Sequence, residues 1–335
     1  VANADTTVRG PARRWVLPER FRGVGQTYGA LIALLLLVLF NLLFTKNFLT
    51  EQTLYVNLTQ VATVVIVATG MTLVIATGGI DLSVGSLMAI AGALAPIIFL
   101  SHIPPLENPL VGNTLAFIIP VLVAGVFGLF NGTLVTRFQI QPIIATLVLF
   151  IAGRGIAQVV TNGNLQPFTN PGFQYIGLGR PLGVPLQVVL MLVIVALFAW
   201  IMRVTIFGRY VLAVGGNESA ARLAGVPVNF VKLAVYGISG LLSGIAGLIV
   251  IARNASSDAN LVGLDMELDA IAAVAVGGTP LTGGRATVVG TLLGALIIQL
   301  IRYTLLVHGV PDAAARLVKA AIILLAVYIQ RQRRS

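Results

Sequence analysis

The residues able to do chemistry in this chain are charges set inside apolar sequence. Asp81, Arg154, Glu267, Asp269, Arg302, Arg316 and Lys319 interrupt runs made otherwise of Leu, Val, Ile, Ala and Gly. An ionisable side chain at the centre of a bilayer costs about 2.5–3.5 kcal/mol, so each must meet an opposite charge, border a water-filled passage or touch a ligand. Acids and bases occur in similar numbers, and pairing between helices would satisfy them as well as a ligand would. Asp81 has a further option. It stands just ahead of Ser83, where a helix can start, and could cap that helix, with Asp265 doing the same for a second one. Asp81, Ser83, Arg154, Asp265, Glu267 and Asp269 are therefore read as structural or gating residues.

Other chemistries are poorly provided for. With no cysteine there is no disulfide framework or thiolate metal site, and His102 and His308 are the only imidazoles, so no metal site is expected. No Gly-x-x-x-x-Gly-Lys-Ser/Thr loop occurs, which removes a phosphate cradle for ATP; Gly215-Gly216 and Gly283-Gly284-Arg285 lack the lysine and suit tight turns instead. The chain is expected to be no enzyme and to carry no cofactor of its own.

The elements that hold these groups follow from composition. With 57% hydrophobic and 10% charged residues over 335 positions, and a mean hydropathy of +0.98, a soluble domain with one buried core is excluded. The expected fold class is an all-α polytopic membrane protein. Apolar segments of the roughly 20 residues that a crossing needs begin near Tyr28, Asn57, Thr114, Ile140, Val184, Phe230, Arg285 and Ala313, and two shorter, glycine-bounded ones begin near Ser83 and Met266. That makes about ten transmembrane helices. The net charge of +10 carries no basic-aromatic run and is explained by positive-inside sorting, not by nucleic acid.

If the N-terminus is cytosolic, about two thirds of the 21 lysines and arginines fall on inner segments. This places both termini in the cytosol: a tail over residues 1–26, a transmembrane domain over 27–330 and a short tail over 331–335. The two short segments are also copies. Gly79-Ile-Asp81-Leu-Ser-Val-Gly85 is echoed by Gly263-Leu-Asp265-Met-Glu-Leu-Asp269, and Gly128-Leu-Phe-Asn-Gly132 by Gly290-Thr-Leu-Leu-Gly294. Five spans lie between the copies, so the second enters the bilayer in the opposite sense: two inverted repeats with broken or short helices. The pairs Gly128/Gly132, Gly240/Gly244 and Gly290/Gly294 suit close helix contacts.

Two connections stand out. The inner loop 203–232 contains a helix of about two turns, with Asn217 as N-cap, Glu218 and Arg222 at i and i+4, Gly225 as C-cap and Pro227 as stop. So short a helix is marginal alone, which is explained by docking to a cytosolic partner or by a simple linking turn. The outer loop 161–183 is rich in Asn, Gly, Pro and Phe, and is read either as a receiving surface for an external protein or as a plain connection.

Several of these stretches carry a resemblance. Ala76-Thr-Gly-Gly-Ile-Asp-Leu-Ser-Val-Gly85, Gln141-Pro-Ile-Ile-Ala-Thr146 with Ala152-Gly-Arg-Gly155, Gly215-Gly-Asn-Glu-Ser-Ala-Ala-Arg-Leu-Ala-Gly225 and Glu267-Leu-Asp-Ala-Ile-Ala-Ala-Val-Ala-Val-Gly-Gly278 resemble the permease subunits of ribose-type monosaccharide ABC importers, in the same order along the chain. Ile140-Gln-Pro142 with Ala152 to Gln158 is most similar to a galactofuranose-type importer permease, while Pro280 replaces a small polar residue common in the family.

The resemblance implies a bacterial cell-membrane location and a pore made with a second permease subunit, as homo- or heterodimer. It further implies a cytosolic ABC ATPase that holds MgATP, and an extracytoplasmic sugar-binding protein. It gives Asn217, Glu218, Ser219, Ala220, Arg222, Leu223 and Gly225 the role of a coupling helix on the ATPase, and alternating access as the transport mechanism. A neutral polyol then needs amides, hydroxyls and ring faces, for which Asn131, Thr146, Gln158, Gln299, Phe127, Phe130 and Phe150 are pathway candidates, each equally suited to helix packing. An ion-coupled secondary transporter, or a permease for nucleosides or branched-chain amino acids, remains the alternative.

Overall fold

In the computed structural model, which describes residues 19–101, 103 and 106–332, several helices start where short polar side chains satisfy free backbone N–H groups. Thr50 accepts from Thr53 N–H (3.3 Å) at the head of α2 (Glu51–Ala76), and Asn108, followed by Pro109, accepts from Leu110 N–H at the head of α4 (Pro109–Thr136). Before α2 comes α1 (Glu19–Phe44), between them α3 (Val84–Phe99), and after α4 comes α5 (Pro142–Val160). The segment after α5 holds β1 (Gln166–Pro167), α6 (Pro171–Leu178) and a single 3-10 turn; α7 (Leu186–Val204) then leads to α8 (Ile206–Gly216) and α9 (Glu218–Leu223). The last part is α10 (Val228–Asn254), β2 (Ser256–Ser257), α11 (Met266–Val276), α12 (Val288–Val307) and α13 (Asp312–Gln332).

Six of these, α2, α4, α5, α7, α10 and α12, are long and apolar enough to cross a membrane. The short glycine-bounded segments are short in fact. At about 1.5 Å per residue, α11 with its 11 residues covers about 17 Å, roughly half of a hydrocarbon core near 30 Å. The protein is a multi-pass, almost wholly helical membrane protein with short, broken helices.

The core sits on two helices. Along their most apolar windows α2 and α10 are 83% and 72% buried, against 28% for α4 and α5, so the latter two turn most of their surface outward. Packing follows the duplicated order. α10 lies along α4 and α3, and α2 lies along α12 and α11; α3 packs on α4 and α5 as α11 packs on α12 and α13. Matching α2–α5 with α10–α13 reproduces every one of these pairings. The glycine pairs form seams inside this one chain: Gly128 and Gly240 bring α4 and α10 into backbone contact, and Gly290 and Gly294 rest on Gly277 and Ala273.

Three stretches carry structure beyond what the sequence specifies. Helix α1 already starts at Glu19, within the stretch read as tail, and α13 continues to Gln332; residues 1–18 and 333–335 lie outside the described residues. The inner loop 203–232 is almost wholly helical, because Thr205 caps a second helix, α8, through Gly208 N–H. The outer loop 161–183 is folded onto the bundle. β1 pairs antiparallel with β2, Phe168 and Phe173 are buried with rings 4.9 Å from Phe99, and Arg180 stacks 3.8 Å over Tyr55.

Candidate functional site

The elbow around α9 is built locally. Asn217 Oδ1 accepts from Ala220 N–H (3.0 Å) to start α9, and Gly225, at φ +79, lets Val226 N–H reach back to Ala221 O (3.0 Å) to close it. Ala221 alone faces the core, while Ser219, Ala220, Arg222 and Gly225 are exposed and Leu223 is 91% exposed, an apolar tip on an otherwise polar turn. Glu218 holds the elbow together. It meets Arg222 at 3.2 Å and Lys232, on α10, at 2.5 Å. Partial burial raises its carboxyl, but the Lys232 hydrogen bond and charge, with Arg222, outweigh that and hold it below the usual glutamate range. Beside it opens a cavity of about 300 Å³ whose polar walls are Thr136, Gln139, Gln141, Arg222, Asn229 and Lys232. Lys232 is the member that spacing within one helix could not reveal, since it lies 14 residues away.

The first break, between α2 and α3, is buried. Asp81 is fully buried; Oδ1 accepts from Ser83 N–H (3.0 Å) and Ser83 Oγ (2.6 Å), and Oδ2 accepts from Ser239 Oγ on α10 (2.8 Å). Asp81 therefore clamps the loop instead of capping α3, whose own cap residue Ser83 makes no side-chain bond to the helix. Two pathway candidates belong here. Asn131 donates to Ser83 Oγ (2.8 Å), and Thr146 Oγ1 accepts from Leu82 N–H (3.1 Å), both at zero exposure. Ser86 extends the seam to α5 through Leu149 O (3.0 Å).

The second break is charged and half-open. Gly263, at φ +71, presses so closely on Gly85 that a Cβ on either would strike the other's carbonyl oxygen. Asp265 sits at the head of α11 in a left-handed conformation (φ 60) and makes no cap bond; it pairs with Arg316 on α13 at 3.6 Å, so the second aspartate does not repeat the first one's role. One turn on, Asp269 pairs with Lys319. Arg154 ties α5 to the preceding loop through Ala259 O (2.9 Å) and Val262 O (2.5 Å), near the buried Glu267.

The remaining candidates are not gathered in one place. Gln158 donates to Asn260 (2.7 Å), Gln299 donates to Gln60 (2.7 Å) and Asn57 (3.3 Å) on α2, Phe127 and Phe150 are half-buried, and Phe130 is 47% exposed on the outer face of α4. Among the described residues no three His, Asp or Glu side chains are grouped to hold a metal ion.

Comparison with known proteins gives a consistent neighbourhood. Residues 53–327 match the family model described as branched-chain amino acid transport system, permease component. The chain is 43% identical to the ribose import permease protein RbsC of Escherichia coli K12, covering 91% of this chain and 93% of that one. It is 40% identical to the galactofuranose transporter permease protein YtfT of the same strain (98% and 94%), and 36% identical to the fructose import permease protein FruF of Bifidobacterium longum (90% and 86%). No solved structure matches.

Proposed function

The chain belongs to the permease-component family of the branched-chain amino acid transport system, and from that premise we propose that it is the membrane-spanning subunit of an ATP-driven monosaccharide importer in a bacterial inner membrane. The sugar class rests on relatives named for ribose, galactofuranose and fructose. A second permease subunit would complete the pore, a cytosolic ATPase holding MgATP would drive it, and an extracytoplasmic binding protein would deliver sugar, with both termini of this chain in the cytosol.

The observation that carries the reading is the elbow. A six-residue helix, too short to persist alone, is capped at both ends, pinned by Glu218 to Lys232 and left with Leu223 in the open beside a polar cavity. That is a preformed plug for a partner's groove. Movement imposed on α9 passes through Lys232 to α10, and α10 reaches the first break through Ser239 and Asp81. A push at the inner surface thus bears on the helices around the first break, the kind of linkage that alternating access requires.

The test is reconstitution in liposomes with the ATPase, the second permease and the binding protein. Sugar uptake should require ATP, and Glu218→Arg should lower both uptake and the stimulation of ATP hydrolysis while insertion and permease pairing persist. Uphill uptake by the chain alone on an ion gradient would overturn the proposal.

A further inference from the structure

The corner where α7 meets α8 has a surface that no role above accounts for. At about 1.5 Å per residue the 19 residues of α7 cover about 28 Å, close to a full hydrocarbon core, so its last turn reaches headgroup depth. Its open face runs apolar through Leu192, Val193 and Leu197, then ends in Trp200, 57% exposed, and the exposed Arg203. An indole followed by an arginine suits the boundary between acyl chains and water. The chain then turns sharply. A Cβ on Gly208 would strike Met202 O, so the first turn of α8 lies hard against the end of α7, and Arg209 donates back across the corner to Val204 O (3.3 Å), beside Arg203.

Helix α8 has two unlike faces. Gly208, Val211 and Val214 are buried, while Ile206, Arg209 and Ala213 are exposed, a spacing of three and four residues that sets the latter along one side. At the far end of α8, Gly284 packs against Gly215 and Gly216, which places the exposed Arg285 next to it. Arg203 and Arg209 thus stand at one end of α8 and Arg285 at the other, with about 17 Å of helix between. No acid occurs from Leu186 to Asn217, and Glu218 just beyond is taken by Arg222 and Lys232. Among the described residues none of these three arginines pairs with a carboxylate.

We infer that this strip binds the headgroups of anionic phospholipids in the leaflet on the side of the elbow, with Trp200, Val204 and Ile206 set among the upper acyl carbons. The inference needs the chain to lie in a bilayer and goes beyond the importer reading. Continuity and charge argue it. The apolar face of α7 already turns outward, and the arginines continue it at the level of the phosphates, where each cation is favoured. Guanidinium forks also match phosphate oxygens. Sorting of positive charge would be met by arginines anywhere on the inner loops and does not require them around one exposed apolar face. Because α8 runs through Asn217 into α9, lipid held here steadies the base of the elbow.

The absence of cysteine makes the test direct. Ile206→Cys is labelled with a benzophenone maleimide in the chain purified with the subunits that accompany it, then reconstituted in phosphatidylcholine liposomes holding a minority of phosphatidylglycerol. After illumination, mass spectrometry of this chain identifies what the label has captured. Phosphatidylglycerol adducts should exceed that lipid's share of the bilayer by at least about fivefold, the weight of one arginine beside an anionic surface. In the same background Arg203→Gln with Arg209→Gln should bring the adducts down to bulk share, whereas the charge-matched Arg13→Gln with Arg14→Gln should leave the enrichment intact. Arg209→Gln alone should lower it about fivefold, and this single variant decides where the double one fails to assemble. Adducts in bulk proportion for I206C overturn the inference, as does capture of the ATPase, the second permease or another copy of this chain in place of lipid. Enrichment unchanged by Arg209→Gln, or lost equally in the Arg13 and Arg14 variant, overturns it too, the latter because net charge would then draw the lipid. No step uses sugar or ATP, so failure of the importer reading leaves the result standing.

Discussion

The two breaks carry matching stretches of sequence and hold them in opposite ways. In the first, Asp81 is walled in and satisfied by Ser83 and Ser239, and the seam between α3 and α5 is made by Thr146 and Ser86. In the second, the corresponding seam between α11 and α13 is made by Asp265 with Arg316 and Asp269 with Lys319, partly exposed along a cavity. A carboxyl tolerates full burial when several donors satisfy it, as Ser83 and Ser239 satisfy Asp81, whereas paired charges are less costly where water reaches them. The difference teaches a division of labour: the first break is an anchor held against α10, and the second is a charged seam left partly open along a cavity.

The sharpest way to break that comparison is to disturb both sides equally and see unequal results. Asp81→Ala removes the acceptor for three buried donors, each worth about 1–3 kcal/mol when left unpaired. It should abolish folded, assembled protein, read as loss of the monodisperse peak in detergent; survival with normal Tm would refute the anchor. Gly263→Val comes next, because the new side chain meets the Gly85 carbonyl and demands a left-handed backbone from a β-branched residue. Tm should drop strongly, with Gly225→Ala, which meets open space, dropping less.

Replacing the charged seam should do far less to stability. A partly exposed ion pair is worth about 0–1 kcal/mol, so Asp269→Asn with Lys319→Met should leave Tm within a few degrees while uptake falls; a collapse of Tm equal to that of Asp81→Ala would erase the contrast. The smallest effect belongs to pH at the elbow. Because the Glu218 carboxyl is held below its ordinary value, near 4.3 when unperturbed, its contribution to holding α9 is whole above that pH and is lost as pH falls through the lowered folded value. Binding of the ATPase to the intact permease should therefore be flat from neutral pH down to that point, and Glu218→Gln should remove the acid-side change.

Much of this was written locally along the chain. Hydropathy alone set the class and located the long spans, since an apolar run of given length has one economical home. The short, glycine-bounded breaks and the elbow were legible for the same reason: Asn217, Gly225 and Pro227 act on backbone groups within a few residues of themselves. The extent of α1 was not, because its ends carry weak punctuation, whereas α8 does carry a local start signal in Thr205 that hydropathy does not weigh.

What only the tertiary structure decided is which polar groups meet. Asp81 and Asp265 occupy matched positions in the repeat, yet Ser239 waits opposite one and Arg316 opposite the other. Asn131 and Thr146, equally plausible along a pathway, turned out to serve the first loop, while Gln60, Arg253 and Lys232 acquired their places from helices far away in the chain. The physical reason is one of range. Caps, breaks and hydropathy are settled by neighbours within a turn or two, but a buried hydrogen bond or a cavity depends on the relative rotation and depth of separate helices, and no spacing along a single strand of sequence encodes that.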